Sequence, residues 1–308
     1  MTKIEWADET WNPVLGCSKI SAGCANCYAI RHVHRMAGNP NPKIADATSW
    51  LTVLENGQSN WTGKIRLIEN RLLDPLRWRQ PRRIFVCSLS DLFNHDNPDN
   101  NIDRVFATAA LCPQHTFMVL TKSPHRMMQY WSDLRRRLNL IFGIAANIDC
   151  SEVDRTWASM MSHPRPLPNV WLGVSVEQQA TAEIRITNLL RTPAVVRFVS
   201  AEPLLGPLDL RRWLGNGIDW IITGGESGSG ARPMHPDWAR SLVQQCKASG
   251  VPIFVKQILD GGRKIPFEMW PKDLQVREFP SIHNGPLVVQ CPVSRGAASY
   301  QRSKEGLR

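Results

Sequence analysis

The pattern of apolar and polar positions changes character near residue 80. Beyond it, short apolar runs recur, each ending in a polar or glycine cluster. They are "RIFVCSLSDLF" (83–93), "TFMVLTKSP" (116–124), "VWLGVSVE" (170–177), "VVRFVSAEP" (195–203), "WIITGGESG" (220–228) and "VPIFVKQ" (251–257). Brief stretches of β-branched, aromatic and aliphatic residues predict strands buried within a parallel sheet. Between them the spacing predicts helices, in "NIDRVFATAALCP" (101–113) and "HPDWARSLVQQCKASG" (235–250), the second with an Asp/Trp start and a Gly stop. Alternation of strand and helix predicts right-handed βαβ units. With a first strand near "WNPVLGC", the chain reads as α/β, a full or partial (β/α) barrel of about six to seven parallel strands. An open doubly wound sheet is the alternative, because no sequence signal reports closure.

Two segments interrupt the pattern. Residues 38–64 are rich in Asn, Pro and Gly and read as an irregular flap. Residues 135–169 combine a basic start, an apolar middle and "HPRPLPN", and read as an extended crossover. The reading is a single domain over 1–293 with insertions near 38–64 and 135–169, followed by a flexible basic tail, 294–308.

In either architecture the chemistry sits at the C-terminal ends of the strands. Those ends carry Ser88, Ser90 and Asp91; Thr121 and Lys122; Ser175 and Glu177; Ser200 and Glu202; Gly224, Gly225 and Glu226; and Lys256 and Gln257. They predict one polar-lined mouth, with some of these groups capping the helices that follow.

Composition narrows the class. Of 308 residues, 43% are hydrophobic and 21% charged, with a mean hydropathy of -0.27, as in soluble globular proteins. No apolar run approaches the roughly 18–20 residues of a membrane span, and "MTKIEWADETWNP" lacks the centre and cleavage site of a signal peptide. The expectation is a cytoplasmic protein without a membrane partner. Lys plus Arg total 37 against 27 acids, a net charge of +10, which favours polyanions such as nucleic acid; plain solubility is the alternative.

Eight cysteines are too few for a disulfide scaffold. Cys87 lies in an apolar run and reads as packing. Cys17, Cys24 and Cys27, in "GCSKISAGCANCYA" (16–29), differ because they are local. With His32 or His34 as a fourth ligand they make a zinc site. Cys24 and Cys27 alone make a redox pair, but such motifs carry no extra cysteine upstream. Three thiolates also suit a [4Fe–4S] cluster with one iron left open to a small molecule. Gly16 and Gly23 let backbone approach such a cluster, and Tyr28 would shield it.

Three cysteines on a loop after the first strand of a β/α barrel, with an aromatic after the third, resemble the radical S-adenosylmethionine (SAM) superfamily. Its commonest spacing is C-x3-C-x2-C, whereas six residues fill the first gap here. More closely, the chain resembles a phage- and bacteria-associated family marked by GCxxxSxGCxxCYA, present here as Gly16-Cys17 through Ser21, Gly23-Cys24 and Cys27-Tyr28-Ala29. The likeness continues through "IEWADETWNPV", "LTKSP", "RFVSAEPLLGPL" and "DWIITGGESG", covering about residues 3–258.

The resemblance implies a radical-SAM-like fold and two cofactors, a [4Fe–4S] cluster on Cys17, Cys24 and Cys27 and S-adenosyl-L-methionine on its open iron. It implies reductive cleavage to a 5′-deoxyadenosyl radical, an electron donor, and a three-Cys-motif partner protein encoded nearby. Many members hold the SAM amine on a GGE motif after the second strand. Here that place is "SLSDLF", which makes Ser88, Ser90 and Asp91 the candidates; the GGE at 224–226 comes several strands later. Ser175 and Glu177 stand where ribose hydroxyls are held, with Glu202 ending the next strand. Lys122 and Lys256 would pair with the SAM carboxylate or a substrate phosphate, or each serve only as partner to a neighbouring Glu; Glu226, Arg232 and Lys256 are the substrate candidates. The expected substrate is nucleic acid or a nucleotide, modified or repaired, with twelve tryptophans available to stack on an extruded base. Two other readings remain: a zinc-stabilised nucleic-acid-binding protein, and a scaffold whose cluster only senses redox state.

Overall fold

The apolar runs become strands covered on both faces. The computed structural model describes residues 4–149, 160, 162–228, 230–260 and 262–281, and the tail reading for 294–308 lies outside them. Seven strands form one sheet: β1 (Glu9–Trp11), β2 (Arg83–Val86), β3 (Thr116–Thr121), β4 (Val170–Ser175), β5 (Val196–Ala201), β6 (Trp220–Gly224) and β7 (Ile253–Gln257). Each strand pairs in parallel with its successor, so spatial order equals chain order from β1 to β7. This is a partial β/α barrel: a curved sheet flanked by helices. The free edge of β7 is met by residues 276–278, with Val255 N donating to Val276 O (2.9 Å) and Glu278 N to Ile253 O (2.9 Å).

The principal helices are α1 (Tyr28–Ala37), α2 (Pro42–Thr48), α3 (Asp99–Ala110), α4 (Leu134–Ile148), α5 (Gln179–Leu190) and α6 (Pro236–Ser249). Helix α6 ends at Gly250, whose φ of +67 is the left-handed stop that its glycine predicts. Among the described residues, no helix is long and apolar enough to cross a membrane.

Strand alternation divides the apolar residues between two cores. One row, including Ile84, Val86, Val119, Leu172, Val174, Val199 and Val255, belongs to the large core shared with the helices. The other row points into the hollow of the sheet, where Trp6, Phe85, Met118, Trp171, Phe198, Trp220, Ile222 and Phe254 form an aromatic plug. Gly173 belongs to this fit, because a Cβ there would lie 2.5 Å from the Phe198 ring. Continuing two residues at a time along the inner face, β5 passes from Phe198 to Ser200 and then Glu202. In the same steps β4 passes from Trp171 through Gly173 to Ser175 and Glu177, and β3 from Met118 through Leu120 to Lys122. The hollow is therefore dry at one end and polar at the other.

Three expectations change. The first strand lies just before the expected place: Val14–Leu15 instead pairs antiparallel with Arg66–Leu67. The region 38–64 is regular, with α2 followed by a hairpin of Thr52–Glu55 against Gln58–Trp61. Asn56 and Gly57 turn that hairpin at φ +50 and +73, the left-handed pair a tight turn needs. The start of 135–169 is not extended but lies in α4, whose buried Leu138, Ile141, Phe142 and Ala145 follow helical spacing.

Candidate functional site

The loop between β1 and α1 carries Cys17, Cys24 and Cys27 across the polar end of the hollow. Gly16 opens it at φ +92, where a Cβ would meet Lys64 O at 2.1 Å, so only glycine lets the chain turn there. Cys24 closes a short 3-10 turn (Ala22–Cys24), and Cys27 precedes the first turn of α1. All three cysteines line one cavity of about 450 Å3, within the size range of small-molecule sites. Burial, then the Asp91 carboxylate and the neighbouring thiols, pushes the Cys17 thiol up. Asn94 Nδ2 approaches Cys17 Sγ at 4.0 Å, and Ser21 Oγ lies 3.9 Å from Cys24 Sγ.

Two carboxylates brace this loop. Glu226, after β6, accepts from Arg232 Nε (3.0 Å), Nη2 (2.6 Å) and backbone N (3.0 Å), and from Asn26 Nδ2 (3.0 Å). Arg232 Nη2 also donates to Ala22 O at 3.0 Å, and Asn26 Nδ2 to Gly230 O at 3.1 Å. Burial raises the Glu226 carboxyl, but the bonds from Arg232 and Asn26 outweigh it and hold the group below its ordinary range. On the other side, buried Glu177 is ion-paired to buried Arg185 (2.9 Å) and accepts from Gly23 N at 3.4 Å. A Cβ on Gly23 would press on that carboxylate at 3.2 Å.

The remaining strand-end groups divide by whether the protein already satisfies them. Ser88 Oγ exchanges hydrogen bonds with the Asn12 amide (3.1 and 3.2 Å), and its carbonyl accepts from Tyr28 OH at 2.7 Å. Ser90 Oγ donates to Val14 O at 2.8 Å. Asp91 accepts from Thr121 Oγ1 (2.7 Å), Phe93 N (3.0 Å) and Lys122 N (2.9 Å), while burial pushes its carboxyl up. Glu202 and Lys256 form an ion pair on the cavity wall. Gln257 Nε2 holds the 225–227 turn through Gly225 O (2.7 Å) and Ser227 Oγ (3.0 Å).

Among the described residues, several polar groups on the cavity stand open. Among the described residues the Lys122 ammonium makes no ion pair or hydrogen bond and acts on Asp91 only through space. The Ser175 and Ser200 hydroxyls, on residues that pair in register, have no protein partner among those residues. Trp6 Nε1, buried on the floor beside Phe85 and Leu120, lacks one too.

The structure thus brings Cys17, Cys24, Cys27, Ser88, Ser90, Asp91, Lys122, Ser175, Glu202, Glu226 and Lys256 to one cavity. It places Glu177 and Arg232 off its lining, as braces of the cysteine loop. His32 is exposed, and His34 Nδ1 lies 3.1 Å from Thr52 Oγ1. Among the described residues, no three His, Cys, Asp or Glu side chains are gathered to hold a metal ion. The three thiols share one cavity, a soft donor set that a zinc ion or an iron–sulfur cluster could take. Sequence reasoning missed Asn12, Asn26, Arg185 and Trp6; Asn26 lies inside the cysteine motif and Trp6 and Asn12 inside "IEWADETWNPV", whereas Arg185 carried no positional signal.

A family profile described as "Protein of unknown function (DUF5131)" matches residues 1–276. No curated protein and no solved structure matches the chain.

Proposed function

The chain belongs to the DUF5131 family, and from that premise we propose that it is a radical SAM enzyme. Cys17, Cys24 and Cys27 hold a [4Fe–4S] cluster, and the open strand-end groups hold S-adenosylmethionine. The observation that carries this reading is the convergence of three thiols and the open donors Lys122, Ser175 and Ser200 on one cavity. Cys17, Cys24 and Cys27 would hold the cluster, which would supply the electron for reductive cleavage of a C–S bond of S-adenosylmethionine.

The chain's own residues do the rest. Lys122 offers the positive charge a carboxylate needs, and Ser175 and Ser200 offer hydroxyls to a ribose. Asp91 Oδ2 accepts one bond, from Lys122 N, which leaves it a lone pair for an ammonium. The Trp6, Phe85 and Leu120 floor covers apolar ligand surface and excludes water, and Trp6 Nε1 offers a donor there. Glu226–Arg232 and Glu177–Arg185 hold the ligand loop in place.

Anaerobically purified protein is expected to be brown with about four irons per chain, and Cys24→Ala to be colourless. Dithionite and SAM should then give 5′-deoxyadenosine. One zinc in a colourless protein would replace this reading with the zinc-stabilised one. A cluster that never yields 5′-deoxyadenosine would replace it with redox sensing.

A further inference from the structure

The cavity opens beside a rim whose charge is one-sided. From Thr10 to Ala45 the chain contains no Asp or Glu, yet it carries Lys19, Arg31, Arg35 and Lys43. This stretch is the cysteine loop, α1 and the start of α2, so part of the +10 charge is gathered on the loop that carries the cysteines and the helices that follow it. Lys19 is exposed beside Ser18 and Ile20, which line the cavity. Arg31 and Arg35 stand one turn apart on the exposed face of α1. The Arg31 guanidinium reaches the opposite lip, where a Cβ on Gly228 would lie 2.5 Å from its Nη2.

Elsewhere some basic residues are neutralised locally, while Arg79, Arg136, Arg165, Arg191, Lys247 and Lys272 are exposed and, among the described residues, enter no ion pair. Arg104 pairs with Glu69, Arg137 with Asp99 and Asp103, and Arg212 with Glu183. Among the described residues, Lys19, Arg35 and Lys43 enter no ion pair. Between these charges the rim exposes apolar surface: Ile20 is 52% and Tyr28 41% exposed, and both line the cavity mouth.

We propose that this rim docks single-stranded nucleic acid, which names the substrate class for the radical chemistry above and rests on that reading. Unpaired cations in a row neutralise successive phosphates and release counterions. Aromatic and aliphatic side chains set among them offer a base a surface to stack on. The strand is single because a base stacked and paired within a duplex cannot enter a cavity. Ile20 and Tyr28 flank the entering nucleotide, and Lys19 and Arg35 hold the phosphates on either side.

The test is fluorescence anisotropy of a labelled single-stranded DNA oligonucleotide with the full-length, anaerobically purified protein, between about 50 and 200 mM salt. Lys19→Glu combined with Arg35→Glu should weaken binding by about tenfold or more. It should also reduce the slope of log affinity against log salt by about 1.4, the share of two phosphate contacts on a single strand. The charge-matched control, Arg77→Glu with Arg211→Glu, alters side chains that are 76% and 72% exposed and paired to Asp74 and Asp209. It should change affinity less than about twofold. Equal losses in both variants, no binding by the wild type, or stronger competition by poly-glutamate than by unlabelled oligonucleotide would overturn the proposal. Binding needs no turnover, so absence of 5′-deoxyadenosine would defeat the radical reading and leave the docking result to be judged separately.

Discussion

The two ends of the hollow face of the sheet are built from the same strands and have opposite character. At one end Trp171, Phe198, Trp220 and Phe254 pack against one another as one buried apolar cluster. Two to four residues further along β4 and β5 stand Ser175, Ser200 and Glu202. Because side chains alternate strictly along a strand, the same inward-facing row carries both plug and site. The difference shows how the labour is divided: the plug supplies stability from apolar burial, and the polar end leaves Lys122, Ser175 and Ser200 without protein partners among the described residues.

The sharpest way to break the dry end is Trp220→Ala. Trp220 is fully buried, meets Trp171 at a centroid distance of 6.0 Å, and donates from Nε1 to Glu278 O at 2.9 Å. The loss should be about 3–5 kcal/mol, read from the urea midpoint; a loss below about 1 kcal/mol would show that the plug is not the stabilising element.

At the polar end the largest effect should be local. Glu226→Ala removes the acceptor shared by Arg232 and Asn26. Hydrogen bonds to charged groups contribute about 1.5–3 kcal/mol, so alkylation of Cys24 and Cys27 in metal-free protein should quicken by about tenfold or more. The urea midpoint should move far less than in Trp220→Ala. An unchanged alkylation rate would mean that the pair does not brace the loop.

Smaller still is Ser175→Ala with Ser200→Ala. Among the described residues these hydroxyls have no partner to lose, so stability should stay within about 0.5 kcal/mol. SAM affinity by calorimetry should fall about fivefold, as expected for loss of a hydrogen bond contributing about 1 kcal/mol. Equal affinity would remove both serines from the ligand site.

The smallest effect follows from pH. The Glu226 carboxyl sits below its ordinary 4.5 in the folded protein, so its ionised form is the one the fold favours. Its stabilisation is complete above about pH 4.5 and is lost as pH falls through the lower folded value. The stability gap between wild type and Glu226→Gln should therefore close on acidification below about pH 4.5. A gap independent of pH would assign the effect to shape rather than charge.

Much of this comparison was legible in the sequence. The six runs after residue 80 are apolar on both faces, as buried parallel strands must be, and each became a strand. The hairpin in 38–64 had its signal in Asn56-Gly57, and α4 in the spacing of Leu138, Ile141, Phe142 and Ala145, but prolines and charges nearby masked both. The candidate site was legible as a set of strand ends. Which ends are already satisfied was not, because Glu177–Arg185 and Glu226–Arg232 are choices among several nearby cations that only packing decides.

The most direct test of the central claim is electron paramagnetic resonance of the reduced, anaerobically prepared protein, recorded with and without SAM. The account predicts a cluster signal that SAM alters, because one iron is left to the ligand, and no signal in Cys24→Ala. A cluster signal indifferent to saturating SAM, or a protein that holds zinc and no iron, would contradict it.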